Sequence, residues 1–244
     1  MTKEQLVKEL KKIGLQEGMV LEVHSSLSSF GHVEGGAETV IEALMECVGE
    51  SGSIFMPALS LSPEMELTEE DKAMGITVKI KVLPEDAPRT AMGMIADTFR
   101  QREDISMGQG VIRTAGWGLH AKEAAKGGLD YVLQNGGKAL LLGVDIYKLT
   151  AMHYVEGALP KEISDMFAPT EEIDEKYPPE EWFMEAGGPP VKPWYTIQDM
   201  AMERGLIKNG LIGECKYMFF DVWDVVSIYK EELEKNPYKL YGLE

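Results

Sequence analysis

The sequence predicts an α/β protein with a mixed or parallel sheet covered by helices, and three observations carry that expectation. Short apolar runs of strand character alternate with longer segments whose apolar residues recur at helical spacing. Glycine or proline punctuates the joins. Finally, 244 residues with 44% hydrophobic and 27% charged side chains suit one large domain, and no repeat or biased linker divides them. The expectation is therefore a single domain, 1–244.

Taken in order, residues 1–13 read as an amphipathic helix: Thr2 caps it, Leu6, Val7, Leu10 and Ile13 share a face, and Gly14 follows. Residues 19–23 are a buried strand, 24–34 a loop of small residues, and Gly35-Gly36 open a helix that runs to Val48. A turn at 49–52 leads into a strand at 53–56, ended by Pro57. Residues 89–102 after Pro88 and 121–127 read as helical, and 138–144 is a buried strand that delivers the chain to Asp145. A helix at 150–159 stops at Pro160. Residues 160–196, rich in Pro, Glu and aromatics beyond 169, are expected to form an irregular surface or lid excursion. The end of the chain reads helix (197–205), strand (213–220), helix (222–235).

Charge narrows the function. With 24 Lys and Arg against 41 Asp and Glu, the formal net charge of −17 repels nucleic-acid phosphates and anionic lipid, and it favours a small cationic ligand. Neither nucleic acid nor membrane is expected as a partner. No apolar run approaches the ~20 residues of a spanning helix, and 1–12 is a charged helical pattern rather than a signal peptide. Two cysteines, Cys47 and Cys215, make neither a disulfide framework nor a zinc ribbon. The expectation is a soluble cytoplasmic protein.

Two constellations could carry chemistry. In His24-Ser25-Ser26-Leu27-Ser28-Ser29-Phe30-Gly31 through Val33-Glu34-Gly35-Gly36, hydroxyls and free N–H groups meet at a helix start, which suits an anion such as a cofactor phosphate. It is neither a P-loop nor a dinucleotide turn, and a polar loop before an ordinary helix remains the plainer reading. In Thr150-Ala151-Met152-His153-Tyr154-Val155-Glu156, residues three apart share a helix face, so Thr150, His153 and Glu156 can enter one pocket at the end of a strand. An imidazole with a carboxylate beside it is the equipment of a general base, although a surface His–Glu hydrogen bond has the same spacing. No His-Glu-x-x-His, Cys-x-x-Cys or Gly-x-Ser-x-Gly element accompanies them, so no metal is expected and a serine-hydrolase elbow is absent.

Four segments in fixed order resemble a known family. They are Leu21-Glu22-Val23-His24-Ser25-Ser26-Leu27-Ser28 with Gly35-Gly36; Gly52-Ser53-Ile54-Phe55-Met56-Pro57; Arg89-Thr90-Ala91-Met92-Gly93 through Phe99-Arg100; and Leu140-Leu141-Leu142-Gly143-Val144 through His153 and Glu156. On these residues the chain resembles the aminoglycoside 3-N-acetyltransferases, the antibiotic acetyltransferase fold. A weaker match from Ile212 to Val226 extends the resemblance over nearly the full chain.

The resemblance implies a three-layer α/β/α fold with a mixed, largely parallel central sheet, and acetyl-CoA as co-substrate. It implies cofactor contacts from Ser25, Ser26, Leu27, Ser28, Phe30, Val33, Gly35 and Gly36, and from Arg89, Thr90 and Met92. Catalysis would fall to His153 as base with Glu156 and Thr150, and Asp145 with Glu156 would hold a cationic amine, as a monomer or homodimer. The chain departs from the family at Asp104–Arg113, where Ser106-Met107-Gly108-Gln109-Gly110 replaces a stretch that usually carries His-Pro. Two other functions fit the same residues: an acyltransferase for a non-antibiotic amine, and a catalytically silent CoA-binding protein.

Overall fold

The computed structural model describes all 244 residues and contains a seven-stranded mixed sheet, a two-stranded sheet beside it, and helices on both faces of the larger one. In chain order, α1 (Lys3–Ile13), β1 (Val20–Ser25), α2 (Gly36–Val48) and β2 (Ser53–Pro57) precede α3 (Glu69–Ala73), β3 (Ile76–Lys81) and α4 (Gly93–Arg100). Then come β4 (Ser106–Met107), β5 (Thr114–Gly118), α5 (Gly128–Gln134), β6 (Lys138–Leu142), α6 (Lys161–Ser164), α7 (Glu171–Lys176) and β7 (Trp182–Ala186). The chain closes with α8 (Pro193–Glu203), β8 (Lys208–Ile212), β9 (Cys215–Asp221), α9 (Val222–Lys235) and α10 (Pro237–Leu240).

The large sheet runs β4-β5-β2-β1-β6-β9-β8. It is mixed, as expected, but not largely parallel: parallel pairing is confined to β1 and its two neighbours, β2 and β6, because the outer strands join as antiparallel neighbours such as the β8–β9 hairpin. All flanking pairs are antiparallel. Successive residues of the central strands face opposite layers. Ile54, Met56, Leu140 and Leu142 join the core made with α1, α2 and α4, whereas Phe55, Ala139 and Leu141 join the core made with α5, α8 and α9. Thr2 caps α1 as expected, its hydroxyl accepting the Gln5 N–H at 3.3 Å, and the expected face of that helix is buried.

Four elements differ from the reading of the sequence. Helix α4 starts at Gly93 rather than at residue 89, because Asp97 accepts both the N–H and the hydroxyl of Thr90, at 2.8 Å each, and holds 89–92 outside the helix. Strand β6 ends at Leu142: Gly143 turns the chain with φ +69°, and a Cβ there would sit 1.8 Å from Ser29 Oγ. A helix does occupy Thr150–Ala158, but it is a 3-10 helix, in which residues three apart eclipse one another. The strand expected at 213–220 is the second arm of a hairpin, with β8 paired to β9 across Gly213-Glu214.

Residues 160–196 carry α6, α7 and β7, and β7 pairs antiparallel with β3 from the segment after β2. These pieces enclose their own small core of Ile76, Ile173, Met184 and Ala186. Asp71 staples it: its carboxylate, fully buried, accepts from Lys79 Nζ at 2.9 Å and from the Tyr177 hydroxyl at 2.5 Å. Burial alone would push the Asp71 carboxyl up, yet the bonds from Tyr177, Lys79 and Thr68 outweigh it and hold the group well below the usual carboxylate range.

Candidate active site

The site lies at the carboxyl ends of β1 and β6, where open α/β sheets collect ligands. After β6 the chain turns at Gly143, and Asp145 caps the short helix Ile146–Lys148 through the Tyr147 N–H at 2.9 Å. The 3-10 helix Thr150–Ala158 follows, with Ala151, Met152 and Val155 buried toward the sheet and His153 facing out, its side chain 63% exposed. His153 Nδ1 lies 2.5 Å from Glu156 Oε2. The other oxygen of Glu156 accepts the Trp194 indole N–H at 3.0 Å and the Tyr229 hydroxyl at 3.4 Å. Trp194 also meets the His153 ring edge-on, with centroids 4.8 Å apart. A carboxylate held by an indole and a phenol is a fixed acceptor beside Nδ1, and Nε2 is the ring nitrogen left without a partner.

The surroundings are acidic and aromatic. Along β7, Met184 and Ala186 turn into the small core, and the alternation turns Glu185 the other way, toward Glu156 and His153. Its carboxyl is pushed up by burial first and then by the charge of Glu156, with His153 opposing the shift. Asp145 accepts the Tyr195 hydroxyl at 2.9 Å, and that phenol is pushed up to about 12 by burial and by this bond. Tyr147 stands against Trp194 and Tyr195, with ring centroids 5.1 and 5.6 Å away, and the Lys192 ammonium sits 4.5 Å over its face.

The residues expected at the cofactor fall into three groups. Ser25, Ser26, Leu27 and Ser28 follow β1 into the 3-10 helix Leu27–Phe30, with the Ser26 and Ser28 hydroxyls 3.1 Å apart. Gly35 and Gly36 have φ of +77° and +64°, and nothing lies within 4 Å of the place where a Cβ on Gly36 would be, so the start of α2 is open. Arg89 is exposed and Met92 half-buried at the start of α4, beside β1. By contrast, Phe30 and Val33 are buried in the core, and the side chain of Thr90 is consumed by Asp97. A groove of about 930 Å³ runs from Ser29 past Gly143 to Asp145, walled by the β8–β9 hairpin and by Gln198 and Met202 of α8.

Sequence reasoning missed Glu185, Trp194 and Tyr229, which lie 29, 38 and 73 residues from Glu156; the latter two touch it only through the tertiary fold. The glutamate alternating with apolar residues on β7 was the one local signal available.

The family model described as aminoglycoside 3-N-acetyltransferase matches residues 23–234, and the chain belongs to that family. It is 26% identical, over an alignment 281 positions long, to aminoglycoside N(3)-acetyltransferase III of Salmonella sp, covering 96% of this chain and 92% of the relative. It is 30% identical over 185 residues to the SPbeta prophage-derived aminoglycoside N(3')-acetyltransferase-like protein YokD of Bacillus subtilis (strain 168), covering 65% and 66% of the two chains. The fold is similar to that of aminoglycoside acetyltransferase AAC(3)-IVa without ligand, with a TM-score of 0.71 at 20% identity over 98% of this chain and 91% of the other. It is also similar to AAC-IIIb in its binary complex with CoASH, with a TM-score of 0.70 at 21% identity over 96% and 97%. No helix of the chain is long and apolar enough to cross a membrane.

Proposed function

We propose that the protein is an acetyl-CoA-dependent N-acetyltransferase that acetylates the 3-amino group of a cationic aminoglycoside by direct attack, with His153 as the base. The observation that carries this reading is the His153–Glu156 pair, its carboxylate held by Trp194 and Tyr229 so that Nε2 is the free nitrogen. A histidine-to-alanine variant of AAC(3)-IVa has been solved in complex with a gentamicin, and its fold matches this chain with a TM-score of 0.72 at 20% identity over 98% of this chain and 90% of that one.

Acetyl-CoA supplies the activated acetyl group as a thioester. The open face of α2 at Gly36, the hydroxyls of Ser26 and Ser28 and the exposed Arg89 suit the anionic end of such a molecule, because a helix start, hydroxyl donors and a guanidinium pair with phosphate. Phe30, Val33 and Thr90 contribute through backbone position, their side chains being buried. His153 Nε2 takes the proton of the attacking amine, and a base so placed contributes about 10²–10⁴-fold. Glu156 keeps the tautomer, and its charge offsets the imidazolium that forms. Thr150, one 3-10 turn before His153, is the hydroxyl donor assigned to the developing oxyanion in this reading.

Asp145, Glu156 and Glu185 make the acceptor side anionic, and Tyr147 already holds an ammonium, that of Lys192. A cationic amine fits that wall. The test is thiol release from acetyl-CoA across aminoglycosides and simple polyamines, with the acetylated position read by NMR of the product. Acetylation of the 3-amino group supports the proposal. Release with polyamines alone supports a non-antibiotic acceptor, and CoA binding with no acceptor in the panel supports a silent binding protein.

A further inference from the structure

The central strand β1 buries a charge that the mechanism above does not use. Glu22 and His24 lie two apart on β1 and so share a face. That face is apolar: the cross-strand neighbours of Glu22 are Phe55 and Ala139, and that of His24 is Leu141. Glu22 is nonetheless fully buried and His24 is 6% exposed. Glu22 Oε1 lies 2.7 Å from His24 Nε2 and accepts the Ala151 N–H at 3.1 Å, while Oε2 has no partner. His24 Nε2 lies 3.4 Å from the Thr150 nitrogen.

Thr150 and Ala151 open the 3-10 helix that bears His153 and Glu156. The N–H groups of a first turn have no acceptor inside their own helix, and the residue before this one, Leu149, offers no side-chain cap. With its Nε2 proton given to Glu22, His24 cannot accept from Thr150, so the acceptor that β1 supplies is Glu22 Oε1, which takes the Ala151 N–H from 129 residues away. A buried carboxylate with an oxygen unpartnered costs stability, and an aliphatic residue would pack better beside Phe55 and Ala139.

We infer that Glu22, braced by His24, is a positioning residue: it caps the catalytic helix from the central strand and sets the depth at which His153 stands over the strand ends. The inference rests on the proposed role of His153 as base. The charged cap joins the rigid middle of the sheet to the one element that carries both members of the catalytic pair.

The test compares Glu22→Leu and Glu22→Gln by three readouts: amide exchange at Ala151 by NMR, kcat and KM for acetyl transfer, and melting temperature. Gln keeps the Oε1 acceptor and leaves an unpaired amide nitrogen where Oε2 was, so it lowers the melting temperature while holding Ala151 protection and kcat within about threefold. Leu removes the acceptor; Ala151 exchange rises at least about tenfold and kcat falls about ten- to a hundredfold with both KM values within about twofold. A folded Glu22→Leu protein with wild-type kcat or wild-type Ala151 protection overturns the inference, as does a Gln variant that loses kcat like Leu. The wild type needs no substitution for its own check: an Ala151 amide that exchanges as fast as an open one overturns the cap even where Glu22→Leu does not fold. A wild type without transferase activity refutes the reading of His153 instead, and leaves Ala151 protection to report the cap.

Discussion

His153 Nδ1 and Glu156 Oε2 are 2.5 Å apart, and this contact decides which imidazole nitrogen is available for chemistry. The Trp194 indole and the Tyr229 hydroxyl, both on the other oxygen, prevent the carboxylate from turning away.

Trp194→Phe removes the N–H that reaches Glu156 at 3.0 Å and leaves the apolar wall. A hydrogen bond to a charged acceptor is worth about 1.5–3 kcal/mol, and tenfold is about 1.4 kcal/mol, so kcat is expected to fall about tenfold. CoA affinity by calorimetry is expected to stay within about twofold. A fall in CoA affinity with unchanged kcat would place Trp194 at the cofactor instead.

Glu185 holds its proton to higher pH than an ordinary glutamate, because burial and the Glu156 charge both disfavour its ionised form. Its folded pKa is raised above the unfolded one, so the group costs stability at pH values above the folded pKa, and the cost is relieved as the pH falls through it. Glu185→Gln is therefore expected to raise the melting temperature at neutral pH and to raise the acceptor KM about tenfold, the loss of one ammonium partner. The acceptor KM of the wild type is expected to rise with acidification before ordinary glutamates titrate, and the variant to lack that component. Coincident pH profiles for the two proteins would contradict the role given to Glu185.

Asp71→Asn leaves the Lys79 ammonium buried without its counter-charge. Breaking a buried pair in this way costs about 3–5 kcal/mol, more than four core residues of the small sheet can absorb. Hydrogen exchange by mass spectrometry is expected to rise in β3, α7 and β7 while β1, β2 and β6 stay protected. The Asp71 carboxyl is held low in the folded state, so its contribution is present above the unfolded carboxylate range and is lost as the pH falls toward the folded value. Uniform exchange across both sheets would show that the small sheet does not open independently.

Much of the fold was legible because its signals are local. Helical spacing with a Thr2 cap and a closing glycine placed α1 to within two residues, and an unbroken apolar run placed β6. The contact between His153 and Glu156 was legible because the two lie three apart on one short helix. What stayed hidden depends on pairing at a distance: β3 meets β7 across about a hundred residues, so their alternation could not be read as a sheet. For the same reason Phe30 and Val33 looked like loop residues available to a ligand and are core residues. The role of Glu22 was not read from the buried strand at 19–23, because its backbone donor is Ala151, far along the chain.

The central claim is that His153 is the base for acetyl transfer, and the most direct measurement is thiol release from acetyl-CoA by wild type and His153→Ala with the same aminoglycoside, beside CoA calorimetry on both. The account expects turnover to fall about 10²–10⁴-fold in the variant while CoA affinity is retained. Wild-type turnover in His153→Ala would remove the imidazole from the mechanism.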